Sequence, residues 1–416
     1  MSLVLIAGTP GPAELSAARA LWRDGDVCDL IWERPLGARS WSRSVRRWHA
    51  SRPAFADPLG YMADVRDRVA GDGHDVVLPY GLPAYYAAVH HRHLLEGKAA
   101  SLLPSVESFR IANDKASTGE LCRDLGISVP RSFTPEDEGD VRALAREARF
   151  PLIVKPRSGS ATGLRVVQTA DELLAAVQTL MQRRARGAAE RFEAPLVQEF
   201  ISGHLHDACA VWHDARPLAT LTQVRQVMVP VYGGVGAVNV TTDNPTVREL
   251  AHRVLGALQW SGPAQVEFRH DPRSGEYHLI EINPKFWGTL ALSIHAGLNF
   301  PVLAREAALG RVPTREPTYR VGVRRRFTFP RAREASLQLK ALLGRSAATV
   351  PGGTAASYGD IDWLDPVPDL MRVREWQRGR GEAQRRAMEL DSALRPLITP
   401  PEQPWAGLGK GRARAL

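Results

Sequence analysis

The chain has 416 residues, of which 54 are Lys or Arg, 45 are Asp or Glu and three are Cys. This length predicts about two to four packed units, and a hydrophobic content of 44% argues against wholesale disorder. No membrane span is predicted, because no run of about 18 apolar residues occurs. The few, widely spaced cysteines do not suggest a disulfide framework, and residues 1–7 predict a strand rather than a signal peptide. We therefore expect a cytoplasmic protein.

The formal net charge of +9 comes largely from arginine. Arginine is dense at 39–52, where two tryptophans are interleaved, and again at 324–326. Clusters of basic and aromatic residues can stack bases and hold phosphates, but a basic chain also attracts small polyanions such as nucleotides. A solvated surface on an arginine-rich protein is the third interpretation. Charge alone does not choose among them.

The first hundred residues alternate strand-like and helix-like patterns. Apolar runs predict strands at 3–7, 27–32 and 75–78, with a helix after the first of them. Strands that alternate with helices indicate a parallel α/β layer. We therefore predict an N-terminal α/β domain at 1–110.

A phosphate-binding pattern follows in the middle of the chain. The segment Asn113-Asp114-Lys115 opens a predicted helix with an N-cap-type residue. Residues 151–156 predict a strand that carries Lys155, and a loop of small residues begins at Ser158. Backbone N–H groups of such a loop, together with an ammonium group, can hold phosphate oxygens. The Gly-Lys-Ser/Thr order of a P-loop is absent.

The strongest single signal is an acidic hairpin. Strands predicted at 266–269 and 277–282 are joined by a turn that contains Pro and Gly, which places Glu267 roughly opposite Glu281. Asn283 shares the face of Glu281 because it lies two residues further along the strand. Opposed carboxylates destabilise a sheet unless they are neutralised, and oxygen ligands at such a place suit Mg²⁺ that also binds substrate phosphates. Two solvated carboxylates explain the hairpin alone equally well, but the lysine and the loop favour a nucleotide–metal site.

Together these residues resemble an ATP-grasp domain, in which two α+β lobes hold ATP between them. The resemblance covers residues 113–310, and its most specific part is Leu-Ile-Glu-Ile-Asn-Pro-Lys-Phe-Trp-Gly at 279–288. It implies a pre-ATP-grasp, Rossmann-like α/β domain at 1–110, an α+β ATP-grasp domain at 111–312 with lobe one at 111–195 and lobe two at 196–312, and an α-rich or irregular C-terminal extension at 313–416.

The resemblance also implies a role for individual residues. The set that contacts the nucleotide phosphates consists of Lys115, Lys155 and the mobile-loop residues Ser158, Gly159, Ser160 and Gly163. The inter-lobe hinge that hydrogen-bonds adenine consists of Glu199, Phe200 and Ile201. The magnesium ligands are Glu267, Glu281 and Asn283, with Glu281 bridging two ions and Mn²⁺ as an alternative metal.

Several further positions depart from the family pattern or complete it. An acidic ribose-binding residue usually follows the hinge; here the candidates are His206 and Asp207. Lys285 stands where family members often have Arg after the Asn-Pro pair, which keeps the charge but loses bidentate geometry. Arg225 is a plausible second cation for the acyl phosphate, with an ordinary exposed strand arginine as the alternative. Trp287 is interpreted as a core residue rather than a wall of the substrate pocket.

These roles imply an ATP- and Mg²⁺-dependent ligase. The enzyme would activate a carboxylate as an acyl phosphate and join it to an amine, with Lys285 and Arg225 as catalytic cations and no protein nucleophile. The expected partners are small carboxylate and amine substrates, with a homodimer as a further expectation and with neither a membrane nor nucleic acid. A carboxylase-type ATP-grasp enzyme is the first alternative, and a basic nucleic-acid or polyanion-binding protein is the second.

Overall fold

A computed structural model describes residues 1–8, 11–33, 42–158, 164–185, 195–229, 235–326, 357–358 and 362–369. Within these ranges the strands form three sheets. Two sheets have four strands each, in the orders β3-β2-β1-β4 and β5-β8-β6-β7. The third has seven strands in the order β13-β12-β9-β10-β11-β14-β15. No helix in the described ranges combines the length and the apolarity needed to cross a bilayer.

The first sheet is parallel and occupies the N-terminal part of the chain. Its strands are β1 (Leu3–Gly8), β2 (Val27–Trp32), β3 (Arg47–Ala50) and β4 (Val76–Tyr80). Its helices are α1 (Pro12–Arg23), α2 (Pro58–Asp72) and α3 (Leu82–His90). The predicted parallel α/β layer is therefore observed. The edge strand β3 was not predicted, because Arg-Trp-His-Ala offers no apolar run.

The second sheet is antiparallel and is flanked by helices. Its strands are β5 (Ser132–Phe133), β6 (Leu152–Pro156), β7 (Arg165–Val167) and β8 (Pro195–Glu199). The helices of this region are α4 (Val106–Asn113), α5 (Lys115–Asp124), α6 (Glu138–Glu147) and α7 (Ala170–Ala185). The predicted lobe boundary at 195/196 falls inside β8, which pairs with β6.

The seven-stranded sheet is antiparallel except at its last pair. Its strands are β9 (Leu205–His213), β10 (Arg216–Val229), β11 (Val235–Thr242), β12 (Gly262–His270), β13 (Tyr277–Asn283), β14 (Arg324–Arg326) and β15 (Ser357–Tyr358). The helices of this part are α8 (Pro245–Ala257), α9 (Leu290–Ala296) and α10 (Phe300–Ala308). Because β14 and β15 belong to this sheet, the sheet extends beyond the predicted boundary at 312.

Alternation along β9 explains how the large sheet is covered on both faces. Ala208 and Ala210 pack into a core formed with α4, α5 and α8, whereas Cys209 and Val211 join a core shared with the N-terminal sheet. Trp287 is fully buried in this second core, as predicted, and its ring meets that of Phe300 edge to face at 4.9 Å.

A short C-terminal segment, 362–369, returns to the first helix. Asp365 accepts hydrogen bonds from Arg19 Nε at 2.8 Å and from Ser42 Oγ at 2.6 Å. Arg19 also pairs with Asp369 at 3.0 Å. The side chains of Arg19, Asp365 and Asp369 are almost completely buried. A further pair, between Arg23 of α1 and Asp362, is partly exposed. Most of the predicted C-terminal extension lies outside the described residues.

Candidate active site

The acidic hairpin has the geometry that the sequence predicts. Glu267 and Glu281 are directly paired residues of β12 and β13. The side-chain amide of Asn283 lies 2.9 Å from Glu267 Oε1 and 3.4 Å from Glu281 Oε1. Two carboxylates and one amide therefore converge on one face of the sheet.

The two carboxylates differ in their electrostatic environment. Burial raises the pKa of Glu267 to about 7, and the charge of Glu281 adds to this effect, although Arg225 opposes it. Burial acts in the same direction on Glu281, but Lys115 and Lys155 outweigh it and lower the pKa of Glu281 below its ordinary value. The pKa of Glu267 indicates that the neighbouring cations do not fully compensate its charge. This environment suits a divalent metal ion.

Both predicted phosphate lysines reach this hairpin. Lys115 Nζ lies 3.3 Å from Glu281 Oε2, and Lys155 is 3% exposed near the end of β6. Burial lowers the pKa of Lys155 to about 8, with the charge of Glu281 working against this shift. The ammonium groups of Lys115 and Lys155 thus meet the carboxylate of Glu281, between β6 of the smaller antiparallel sheet and β13 of the larger one. Ser158 is buried beside Lys115, whereas Gly159, Ser160 and Gly163 lie outside the described residues.

Arg225 is a buried cation of this site rather than an exposed strand arginine. It lies on β10 and donates to Asp207 Oδ1 at 2.9 Å and to Asp207 Oδ2 at 3.1 Å, and it also pairs with Glu267. Burial lowers the pKa of Arg225, but these two carboxylates outweigh it and raise the pKa above its ordinary value. Arg225 therefore stays charged beside the hairpin.

The two predicted ribose candidates lie on opposite faces of the large sheet. Asp207 has no exposed surface, and its oxygens accept from Arg225 and from Gln223 Nε2 at 2.7 Å. His206, its neighbour on β9, points to the opposite face of the sheet, where its ring packs against Tyr277 at 5.2 Å. Strand alternation and Arg225 decide where these side chains lie, and a ribose contact of either residue stays a prediction.

Comparisons with known proteins show what the chain is similar to. A family model described as ATP-grasp in the biosynthetic pathway with Ter operon matches residues 220–327. The D-alanine–D-alanine ligase of Nitrosospira multiformis is 29% identical over 233 residues, which cover 50% of this chain and 71% of that ligase. The carbamoyl phosphate synthase large chain of Thermomicrobium roseum is 29% identical over 217 residues, which cover 50% of this chain and only 20% of the synthase.

Solved structures share the fold at low identity. The L-amino acid ligase from Bacillus licheniformis superposes with a TM-score of 0.60 and 18% identity over 78% of each chain. The chain thus shares its fold with ATP-grasp enzymes, and residues 220–327 match an ATP-grasp family model. A second ATP-grasp neighbour is the biotin carboxylase domain of Hydrogenobacter thermophilus 2-oxoglutarate carboxylase, solved with MgADP, with a TM-score of 0.61, 15% identity and coverage of 78% of this chain and 73% of that one.

The N-terminal part of the chain also approaches the ATP-grasp site. Lys285 is half-buried after Asn283, and burial lowers its pKa, while the charges of Glu281, Glu267 and Glu14 oppose this shift. Glu14 belongs to the first turn of α1 and is buried. In addition, Tyr80 at the end of β4 stacks on Phe286, with ring centroids 4.5 Å apart. The region around Lys285 is therefore bordered by α1 and by the end of β4 of the parallel sheet.

The predicted hinge residues lie at the end of β8, of which Glu199 is the last residue. Glu199 pairs with Leu152 of β6, and its backbone N–H donates to the carbonyl of Arg131 at 2.8 Å. Ile201 is buried, and Phe200 is half-buried. The hinge therefore joins the smaller antiparallel sheet to the larger one, while its predicted contact with adenine stays a prediction.

Two buried polar residues of the site were missed by sequence reasoning. Arg269 is 3% exposed and donates to the carbonyl of Gly203 at 2.9 Å; burial and the charge of Arg225 lower its pKa to about 10. Gln223 bonds Asp207 and Thr289. A signal for both existed, because each lies two residues from a predicted site residue and therefore on the same face of its strand.

The basic segments do not form a free cationic surface in the described ranges. Arg46 donates to both oxygens of Asp29 at 2.6 and 2.9 Å, and Arg52 pairs with Asp64 at 2.8 Å. Trp48 packs against the core, and Arg325 of β14 is buried. Residues 39–41 of the first segment lie outside the described ranges.

Asp29, His49 and Asp72 form a second group of side chains that could ligate a metal. Asp29 Oδ2 already receives Arg46 Nη2 at 2.6 Å and His74 Nε2 at 3.1 Å. Burial would raise the pKa of Asp29, but His74 and Arg46 outweigh it and hold this pKa well below its usual range. Because the protein itself neutralises this carboxylate, the group is best explained as a buried ion-pair network.

Proposed function

We propose that the chain is an ATP- and Mg²⁺-dependent ligase that activates a carboxylate as an acyl phosphate and joins it to an amine. The observation that carries the proposal is the meeting of Glu267, Glu281 and Asn283 with Lys115 and Lys155 in one buried site. Separate from any resemblance, this arrangement brings oxygen ligands for a metal next to ammonium groups for phosphates. The ligases among the compared proteins support the same reaction class.

In the first step, phosphoryl transfer from ATP, different residues bind the phosphates and the metal ion. Lys115 and Lys155 would bind the phosphates of ATP, and Glu267, Glu281 and Asn283 would hold Mg²⁺, which supplies charge neutralisation at the phosphoryl group. Transfer of the γ-phosphoryl group forms a bond from phosphorus to a carboxylate oxygen of the substrate and breaks the bond to the bridging oxygen, which leaves with ADP. No protein nucleophile is required, so alignment and charge supply the catalysis.

The second step forms the amide. The amine's lone pair attacks the carbonyl carbon of the acyl phosphate, inorganic phosphate leaves with the bonding electron pair, and the nitrogen loses a proton. Lys285 and Arg225 are proposed to stabilise negative charge on the acyl phosphate and on the leaving phosphate. Their burial strengthens this interaction because the site has a lower effective dielectric constant than water.

Several finer features belong to the same proposal. Glu199, Phe200 and Ile201 would bind adenine, Ser158, Gly159, Ser160 and Gly163 would contact the phosphates, and Glu281 would contribute to holding two ions. The domain boundaries at 110 and 312, the Rossmann-like character of the N-terminal domain and a homodimer are also proposed. The N-terminal sheet borders Lys285, which supports a role for this domain in substrate binding.

A carboxylase-type reaction is the second candidate, because biotin carboxylases are among the structural neighbours. The two reactions share the acyl-phosphate chemistry but differ in the carboxylate that is activated. Bicarbonate-dependent ADP release would favour the carboxylase, whereas release that requires an organic carboxylate and an amine would favour the ligase.

The direct test is a screen of carboxylate and amine pairs for Mg²⁺-dependent ADP release, followed by mass measurement of the product. Glu281→Gln should abolish the release, because it removes a charged metal ligand. Glu276→Gln, at the exposed turn of the same hairpin, is the matched control and should retain full activity. Unchanged ADP release in the Glu281→Gln variant would overturn the metal-site assignment.

A further inference from the structure

The two phosphate lysines of the proposed site lie on separate elements that must be held together. Lys115 is the first residue of α5, whereas Lys155 lies in β6. Both interact with the same carboxylate, that of Glu281. Because a displacement of about 1 Å in a binding group can cost orders of magnitude in rate, some contact must fix α5 relative to β6.

The contact is made by the residues adjacent to these lysines. Arg157 Nε lies 2.8 Å from Asp114 Oδ1, and Arg157 Nη2 lies 2.7 Å from Asp114 Oδ2. The backbone N–H of Lys115 donates to the carbonyl of Arg157 at 3.0 Å. Asp114 and Ser158 also form an isolated antiparallel bridge. The start of α5 is thereby joined to the segment between Lys155 and the small-residue loop.

Asp114 also caps α5, and this second set of hydrogen bonds restrains its carboxylate further. It is the N-cap of α5 and accepts from the backbone N–H of Ala116 at 2.9 Å. Its side chain is 8% exposed, against 27% for Arg157. Burial would raise the pKa of Asp114, but Arg157 and the backbone donors outweigh it and lower this pKa. The carboxylate therefore remains charged at neutral pH.

We propose that Asp114 and Arg157 are positioning residues for nucleotide binding. They act through Lys115 and Lys155, because their ion pair holds the start of α5 at a fixed position relative to the end of β6. This inference rests on the proposed function, because it assumes that both lysines bind ATP phosphates. Neither Asp114 nor Arg157 belongs to the set of residues predicted to touch the nucleotide.

The pair can be separated from the N-cap by choosing the substitutions. Asp114→Asn keeps an N-cap acceptor, since Asn caps helices about as well as Asp, but it presents an amide to the guanidinium. Arg157→Gln leaves the cap untouched and removes the bidentate pair, and Arg157→Lys keeps only the charge. Arg110→Gln is the matched control, because Arg110 makes the same bidentate pair with Glu107 at 2.9 and 2.7 Å on the exposed surface of α4.

The experiment measures binding of Mg²⁺ and a non-hydrolysable ATP analogue to the full chain by calorimetry, together with each variant's melting temperature. Asp114→Asn and Arg157→Gln should each weaken binding roughly tenfold, by analogy with residues that orient metal ligands. The double variant should be little worse than either single variant, because the two residues act as one pair. Arg157→Lys should recover part of the affinity, and Arg110→Gln should bind as wild type does.

Failure of the inference and failure of the proposed function give different results. A wild-type chain that does not bind the analogue would refute the proposed function itself. Wild-type binding with unchanged affinity in both Asp114→Asn and Arg157→Gln would overturn the positioning role alone. A purely structural role, which would also overturn it, predicts lower melting temperatures without any change in affinity.

Discussion

Removal of the Arg225 side chain should destabilise the fold by an amount that depends on pH. Arg225→Met leaves the carboxylates of Asp207 and Glu267 without their buried partner. Glu267 can become neutral easily, because its pKa is already about 7. Asp207 has no exposed surface and must be either charged and buried or protonated. The cost at Asp207 should therefore dominate.

The magnitude follows from the protonation equilibrium of a carboxyl group. An aspartic acid in water has a pKa of about 3.9, so holding it neutral at pH 7 costs about 4 kcal/mol. In the variant the folded state binds this proton more tightly than the unfolded state does, so stability falls as pH rises above about 4. The loss relative to wild type should grow by about 1.4 kcal/mol per pH unit between pH 5 and pH 7.

Urea denaturation at pH 5, 6 and 7 measures this loss. The double variant Arg225→Met/Asp207→Asn should recover most of the stability and lose the pH dependence, because no buried carboxylate remains at 207. Arg248→Met is the control: its partner Glu316 is partly exposed, and such pairs contribute at most about 1 kcal/mol. A destabilisation of Arg225→Met below 1 kcal/mol, or one that does not change with pH, would refute the reasoning.

Three further predictions concern other parts of the molecule. His206 is held neutral, because burial and neighbouring His204 and His270 lower its pKa to about 3; since the unfolded state binds its proton at about pH 6.5, stability should fall by about 2 kcal/mol from pH 7 to pH 5. Denaturation curves of His206→Leu should show a smaller fall, and an equal fall would contradict the assignment. Arg19→Met removes the arginine that pairs with the buried carboxylates of Asp365 and Asp369, at a cost of about 3–5 kcal/mol. Limited proteolysis should therefore cleave this region faster, and cleavage at the wild-type rate would count against the contact. Lys155→Ala should weaken binding of MgATP, and calorimetry that gives the wild-type affinity would remove Lys155 from the site.

Part of the acidic hairpin could be predicted from sequence because its geometry is local. A short turn joins β12 to β13, and Asn283 shares the face of Glu281 because side chains alternate along a strand. The pairing of Glu267 with Glu281 also depends on a bulge between Glu267 and Phe268, which shifts the register by one residue and is not specified by the turn. An N-cap next to Lys115 was predictable from a few adjacent residues, and Asp114 occupies it. Local rules thus located the predicted metal-binding face and the start of the lysine-bearing helix.

The other features depend on contacts between distant parts of the chain. The burial of Asp207 against Arg225 joins two strands, and the pair of Asp114 and Arg157 joins two elements that no local pattern links. The strand β3 lacks an apolar run, and it forms because an edge position beside β2 is available. The buried Arg269 was overlooked because an arginine in a strand is usually exposed.

The central claim is that a carboxylate is activated as an acyl phosphate, and isotope transfer tests it most directly. Once the screen identifies a carboxylate substrate, it is prepared with ¹⁸O in both carboxylate oxygens, and the reaction with the amine is run in unlabelled water. The account predicts that the inorganic phosphate released with each amide carries one ¹⁸O atom, because the carboxylate oxygen that attacked phosphorus leaves with it. Product formation with unlabelled phosphate would contradict the account.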